Sequence, residues 1–106
     1  IIEVYRKRRN IAIQCIKRYF PNNTEFTTPK GGLFTWIVLP EGISARVILE
    51  KCLKRKVAFV PGGSFFPNEH RENTLRINYS NMQENKIEEG LRIIGEVIKE
   101  YIQQSE

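Results

Sequence analysis

The stretch Asn73–Ser80, NTLRINYS, decides the fold because its apolar and polar side chains alternate. The apolar residues are Leu75, Ile77 and Tyr79, and the polar residues are Thr74, Arg76, Asn78 and Ser80. Successive side chains of an extended chain point to opposite faces, so Thr74–Ser80 is predicted to be a β-strand with one apolar and one polar face. Such a strand requires a layer of helices over its apolar face.

The segments on either side of this strand predict that layer. Three helices are predicted: the first is Ile1–Phe20, the second begins after the N-cap Ser44, and the third begins with a capping box of Asn81 and Glu84. The other predicted strands are Leu33–Leu39 and Val57–Val60. Leu33–Leu39 is apolar on both faces, which predicts a central place in the sheet. The order helix–strand–helix–strand–strand–helix predicts a single α+β domain over residues 1–106. This is a two-layer small domain in which a short, largely antiparallel β-sheet packs against helices.

The composition is that of one globular core. The chain has 106 residues, of which 41% are hydrophobic and 27% charged, and this is too little material for two cores. No apolar run approaches the roughly 20 residues of a membrane span, and no signal peptide is recognisable. The sequence begins without methionine inside a predicted helix, so we expect a fragment of a longer protein.

The charged residues, cysteines and histidine predict no site of their own. The net charge of +5 is spread among carboxylates, which is a weak argument for nucleic-acid binding. Cys15 and Cys52 fall on the apolar sides of predicted helices, which predicts buried thiols in a reducing, cytoplasmic setting. His70 has no cysteine or carboxylate partners at metal-ligand spacing, so no metal site is predicted.

Arg76 is the candidate functional residue, since an arginine in the middle of a short strand is unusual. A guanidinium carries five N–H donors and matches a carboxylate with two parallel hydrogen bonds. If the polar face opens onto a cleft, Arg76 can bind a carboxylate in this way. The alternative is a solvated arginine on an exposed sheet face, and the pattern alone favours that alternative.

Four motifs, in this order and spacing, resemble the small domain of a known enzyme family. The first motif, Tyr5–Arg9, fits the helix that enters the domain. The second is Pro29–Trp36 followed by Leu39–Gly42, the third is Val57–Gly62 followed by Phe65–Pro67, and the fourth is Asn73–Ser80. Together they resemble the C-terminal small domain of the class I/II, fold-type I, pyridoxal-phosphate-dependent aminotransferases. The most similar branch acts on 2-aminoadipate, aromatic amino acids or kynurenine.

The resemblance implies roles for three residues and a cofactor. Arg76 binds the α-carboxylate of the substrate, Phe65 lines the substrate pocket, and Asn78 supports Arg76 or its strand. Pyridoxal 5'-phosphate is bound by the large domain and not by this chain, which is therefore inactive alone. The substrates are an amino acid and a 2-oxo acid, and the complete enzyme is a cytoplasmic homodimer. Lys56 departs from the family, which has glycine there, and we expect a positive φ at this residue.

Two other functions remain open at this stage. Some transcriptional regulators join a winged-helix DNA-binding domain to an aminotransferase-like effector domain, and their C-terminal parts resemble this chain as well. A nucleic-acid-binding module built on Arg6–Arg9 is the least favoured, because the sequence lacks the stacking strand or groove-entering helix of such modules.

Overall fold

The computed structural model describes residues 2–27, 34–62, 72–79 and 82–105. Within these ranges the chain forms three helices and four strands. In chain order they are α1 Ile2–Tyr19, β1 Glu25–Thr27, β2 Phe34–Val38, α2 Ala45–Leu53, β3 Val60–Pro61, β4 Thr74–Asn78 and α3 Glu84–Ser105.

The four strands form one antiparallel sheet in the order β1-β2-β4-β3. β2 lies inside the sheet, as its apolar residues predict, and β4 lies beside it. In the register of these strands Trp36 is opposite Arg76, and Val60 is opposite Arg76 on the other side. The predicted α+β fold with a short antiparallel sheet packed against helices is confirmed.

One face of the sheet belongs to the hydrophobic core. Ile37 and Leu75 are completely buried, and a single cluster of apolar side chains joins them to residues of all three helices. The hydroxyl of Thr35 donates to the hydroxyl of Tyr79 at 3.5 Å within this layer. Burial of these side chains supplies most of the driving force for folding, and it leaves the opposite face of the sheet uncovered by helices.

Three details of the sheet differ from the sequence predictions. β1 was not predicted, because Glu25–Thr27 is short and has no hydrophobic periodicity; its pairing with β2 defines it. The predicted strand Val57–Val60 is wrong in its extent, since only Val60 and Pro61 pair with β4. β4 ends at Asn78, two residues before the predicted end, and Ser80 lies outside the described residues.

The helix boundaries follow local capping chemistry. Ser44 is the N-cap of α2, as predicted, and its side chain accepts from the N–H of Val47 at 3.4 Å. α3 begins at Glu84, whereas Asn81 of the predicted capping box lies outside the described residues.

The turn after α2 explains the short β3. Lys56 has a φ of 65°, which confirms the predicted left-handed conformation. The N–H of Lys56 donates to the carbonyl of Leu53, and the N–H of Val57 donates to that of Cys52, both at 3.0 Å. These two bonds form a Schellman motif, which ends a helix at a left-handed residue. Because Val57 belongs to this motif at the end of α2, β3 starts only at Val60, later than the apolar residues Val57–Val60 suggest.

Both cysteines are buried free thiols, as predicted. Burial raises the pKa of Cys15, and it raises the pKa of Cys52 to about 11, so both stay protonated near neutral pH. None of the helices in the described ranges is long and apolar enough to cross a lipid bilayer.

Candidate functional site

Arg76 lies on the face of the sheet that the helices do not cover. It is the middle residue of β4, between Trp36 of β2 and Val60 of β3, and it is half-buried. Its Nε atom is buried, which shows that the stem of the side chain is enclosed.

Two aromatic rings stand beside Arg76. The Cζ atom of Arg76 lies over the ring of Phe34, 5.1 Å from its centre. The rings of Phe34 and Trp36 meet edge to face, with centres 6.0 Å apart and an interplanar angle of 86°. Both rings are on β2 and on the same face as Arg76, because residues two apart along a strand share a face.

Gly62 packs against the face that carries Arg76, beside Thr74 at the beginning of β4. The N–H of Gly62 donates to the carbonyl of Thr74 at 2.8 Å, so the chain after β3 continues along β4. The glycine lies against the side chains of Thr74 and Trp36. Although Thr74 belongs to the same face as Arg76, it is only 2% exposed, because this packing covers it.

The structure brings together two of the three predicted site residues. Asn78 is exposed and lies on the same face of β4 as Arg76, two residues further along. Its role as a support of Arg76 stays a prediction. Phe65 lies outside the described residues, as does His70.

Two cavities differ in their suitability for a carboxylate. The larger has a volume of about 740 Å³, lies at the far end of β2, and includes Glu25, Glu41 and Glu72 in its lining. Three carboxylates there disfavour a further negative charge. The smaller, of about 240 Å³, lies between β3, β4 and α3, is mostly apolar, and includes Arg76. Of these two cavities, only the smaller includes an arginine and no carboxylate in its lining.

Among the described residues, the strand that carries Arg76 and its neighbours contain neither a lysine nor a group of metal ligands. The lysines lie on the helices or in the turn after α2, and not on the strands; they are Lys7, Lys17, Lys51, Lys54, Lys56, Lys86 and Lys99. No group of three or more His, Cys, Asp or Glu side chains in the described ranges could hold a metal ion. The arrangement beside Arg76 is suited to binding and orienting an anion.

The sequence predictions did not include Phe34 and Trp36 in the site. The sequence predicts the apolar strand in which Phe34 and Trp36 lie, but the contact of these two rings with Arg76 depends on the register between β2 and β4. The only signal was their spacing of two residues, which places them on a common face.

No family model matches the chain. It is 41% identical over 100 residues to aromatic-amino-acid aminotransferase 1 of Thermococcus litoralis, a match that covers 94% of this chain and 24% of that protein. In the crystal structure of α-aminoadipate aminotransferase from Thermus thermophilus, 96% of this chain superposes on 26% of that chain with a TM-score of 0.88 at 39% identity.

Over nearly its whole length this chain is similar to one part of these aminotransferases. The kynurenine aminotransferase of Pyrococcus horikoshii has a similar small domain, with a TM-score of 0.85 at 37% identity, over 92% of this chain and 24% of that one. The predicted resemblance to this family is confirmed. The chain spans about a quarter of the length of these aminotransferases.

The chain is also similar to part of a transcriptional regulator. The chain is 32% identical over 93 residues to the uncharacterized HTH-type transcriptional regulator YjiR of Escherichia coli. That match covers 86% of this chain and 20% of the regulator. The identity is lower than the 41% to the Thermococcus litoralis aminotransferase and the 39% to the Thermus thermophilus aminotransferase.

Proposed function

We propose that the complete protein containing this domain is a pyridoxal-phosphate-dependent aminotransferase, in which Arg76 binds the α-carboxylate of the substrate. The reaction transfers an amino group between an amino acid and a 2-oxo acid. The observation that carries the proposal is the place of Arg76 in the middle of β4, on the uncovered face of the sheet and against Phe34. The high similarity to aminotransferases over nearly the whole chain supports it.

Arg76 contributes binding and orientation. A guanidinium offers two parallel N–H groups to a carboxylate, and this two-point contact limits the rotation of the bound amino acid. Because the stem of Arg76 is enclosed, its charge acts in a partly dehydrated place, where such bonds are stronger than in water.

Phe65 and Asn78 complete the proposed substrate site. Phe65 lines the pocket for the substrate side chain, and Asn78, two residues from Arg76 on the same face, supports the arginine. Replacing Asn78 with Ala should then raise KM for amino acids, and replacing Phe65 with Leu should change the preference among their side chains. If neither variant alters KM or preference, these two roles are wrong.

The cofactor belongs to the rest of the complete protein. Pyridoxal phosphate supplies an electron sink and carries the amino group when it is bound. The lysines of the described residues lie on helices and in a turn rather than beside Arg76, which supports binding of the cofactor by the large domain. The Thermus thermophilus relative was crystallised with N-(5'-phosphopyridoxyl)-L-leucine, a cofactor–amino acid adduct. A cytoplasmic homodimer is proposed for the complete enzyme.

Substitution of Arg76 in the complete protein tests this function. Arg76→Lys keeps the charge but loses the planar fork, and Arg76→Ala loses both. Each should lower kcat/KM for L-phenylalanine with 2-oxoglutarate by about ten- to several hundred-fold, since charge-assisted hydrogen bonds contribute about 1.5–3 kcal/mol. The slow reaction of 2-phenylethylamine, which lacks the carboxylate, should change little.

The matched control is Arg46→Ala, which removes an exposed arginine from α2. It should leave both reactions near wild type. If Arg76→Ala unfolds the protein, or slows both substrates equally, Arg76 has a structural role and the proposed function of the arginine is wrong.

The second candidate is an effector-binding domain of a winged-helix regulator, supported by the similarity to YjiR. In that protein Arg76 would bind the carboxylate of an amino-acid effector. The complete protein would then bind a specific DNA sequence, and its affinity for that DNA would depend on the amino acid. Rapid transamination without DNA binding excludes this candidate.

A further inference from the structure

Phe34 is in direct contact with the charged end of Arg76. The Cζ atom of Arg76 lies over the Phe34 ring, 5.1 Å from its centre. In the register Phe34 is opposite Asn78 and Arg76 is opposite Trp36, so this contact runs diagonally from β4 to β2. The arginine therefore leans along the uncovered face toward the beginning of β2.

Trp36 fixes the position of the Phe34 ring. The two rings meet edge to face at an angle of 86°. On its other side the indole lies against Gly62, where a Cβ would be 3.2 Å from Cζ3 of Trp36. Trp36 thus contacts both Phe34 and the backbone at Gly62, and these two contacts limit how far the indole can move from the phenyl ring.

We propose that Phe34 is a positioning residue for Arg76, held in place by Trp36; this inference rests on the proposed binding of the substrate carboxylate by Arg76. The N–H donors of a guanidinium lie in its plane, and a cation–π contact is made with the face of the aromatic ring without using those donors. An aromatic neighbour can thus restrict a long side chain without competing with the substrate for hydrogen bonds. A side chain restricted before binding loses less conformational freedom when the carboxylate arrives.

The neighbouring strands are consistent with this role. The described residues of β2, β3 and β4 include no Asp or Glu, which would compete with a substrate carboxylate for Arg76. A phenyl ring attracts the cation through its π-electrons and carries no charge of its own. These three strands therefore supply no carboxylate of their own to compete with an incoming anion.

A double-mutant cycle in the complete protein tests the inference. The variants are Phe34→Leu, Phe34→Tyr, Arg76→Ala and the double variant Phe34→Leu with Arg76→Ala; Phe34→Met replaces the leucine variant if that one fails to fold. The probe is 3-phenylpropanoate, which has the carboxylate of phenylalanine and lacks its amino group. Its Kd is measured by titration calorimetry, and kcat/KM is measured with L-phenylalanine and with 2-phenylethylamine.

Phe34→Leu should weaken binding of 3-phenylpropanoate by about three- to tenfold, the range expected from loss of a cation–π contact. Phe34→Tyr keeps the ring and should bind as wild type does. In the Arg76→Ala background the leucine substitution should have no further effect, because the arginine it positions is gone. Val38→Ala, on the same strand and face but two residues beyond Trp36, is the matched control and should bind normally.

The outcomes separate this inference from the proposed function. If Phe34→Leu weakens binding equally with and without Arg76, or slows the amine as much as the amino acid, Phe34 acts on the substrate or on the fold and the inference is wrong. If Arg76→Ala itself leaves the Kd of 3-phenylpropanoate unchanged, the proposed role of Arg76 is wrong and the inference is lost with it.

Discussion

Gly62 and Trp36 are in such close contact that no side chain fits between them. A Cβ on Gly62 would lie 3.2 Å from Cζ3 of the indole and would overlap the hydroxyl of Thr74. The N–H of Gly62 also donates to the carbonyl of Thr74, so the backbone cannot move away without losing this bond. The absence of a side chain at Gly62 therefore lets Trp36 and Thr74 pack against its backbone, beside the face that carries Arg76.

Gly62→Ala should lower the free energy of unfolding by about 1–3 kcal/mol, the usual cost of forcing an extra methyl group into a packed place. The change is measured by urea unfolding. In the complete enzyme the variant should also weaken binding of 3-phenylpropanoate, because displacement of Trp36 disturbs Phe34. An alanine variant with wild-type stability would contradict the close contact.

Two glycines of α3 should respond in opposite ways to alanine. At Gly95 a Cβ would lie 2.5 Å from the carbonyl oxygen of Tyr19, so Gly95→Ala must push α1 away from α3 and should cost about 1–3 kcal/mol. At Gly90 a Cβ would meet only Cγ1 of Val57, at 4.0 Å. Gly90→Ala should therefore stabilise by about 0.5–1 kcal/mol, the helix preference of alanine over glycine. Equal thermal shifts for the two variants would refute this difference.

Lys56→Gly should stabilise the protein. A left-handed conformation costs an L-residue about 1–2 kcal/mol, and glycine's extra freedom in the unfolded chain costs about 0.4–1 kcal/mol. The expected net gain is about 0.5–1 kcal/mol in the free energy of unfolding. Lys54→Gly is the control, because Lys54 has a φ of −63° and a helical conformation, where glycine should destabilise. A loss of stability in both variants would contradict the assigned turn.

Glu96 of α3 should contribute a small, pH-dependent stabilisation by linking α3 to the turn after α2. Hydrogen bonds from Arg55, at 2.8 Å, and from Arg92, at 2.9 Å, hold the pKa of Glu96 below its ordinary value of 4.5 despite partial desolvation. A carboxyl group whose pKa is lower in the folded state stabilises that state above its unfolded pKa, and the effect is lost as the pH falls through the folded pKa. The link is about 40% exposed, so the contribution should be no more than about 1 kcal/mol.

Glu96→Gln therefore should be less stable than wild type near pH 7, and the difference should shrink below pH 4.5. Urea unfolding across this pH range measures it. Glu100→Gln removes the same charge from α3 without breaking the link to Arg55 and Arg92, and it should show no such dependence. A difference that grows in acid would have the wrong sign and would exclude this origin.

The chain alone should not bind pyridoxal phosphate at a specific lysine. The lysines of the described residues lie on helices and in one turn, and we have proposed that the large domain binds the cofactor. Mixing the chain with the cofactor, reducing with borohydride and mapping the product by mass spectrometry should give scattered, substoichiometric labelling. Stoichiometric labelling of one lysine would overturn this prediction.

The sequence predicted correctly those elements that depend on a local pattern of residues. The alternation in Asn73–Ser80 predicts β4, and the hydroxyl of Ser44 predicts the start of α2. Pattern alone could not find β1, because three residues define a strand only through their hydrogen bonds to β2. It also could not show that Val57 belongs to a helix end, since an apolar residue is frequent after the left-handed residue of a Schellman motif as well as in a strand.

For the site, the sequence by itself determined which face of β4 carries Arg76 and Asn78, because the side-chain period of a strand is two. Only the tertiary structure decided that Phe34 and Trp36 stand beside the arginine. That contact depends on the pairing of Trp36 with Arg76, and a shift of one residue would turn both rings to the other face of the sheet. Burial of Ile37 and Leu75 under the helices selects this register, and such burial exists only in the folded chain.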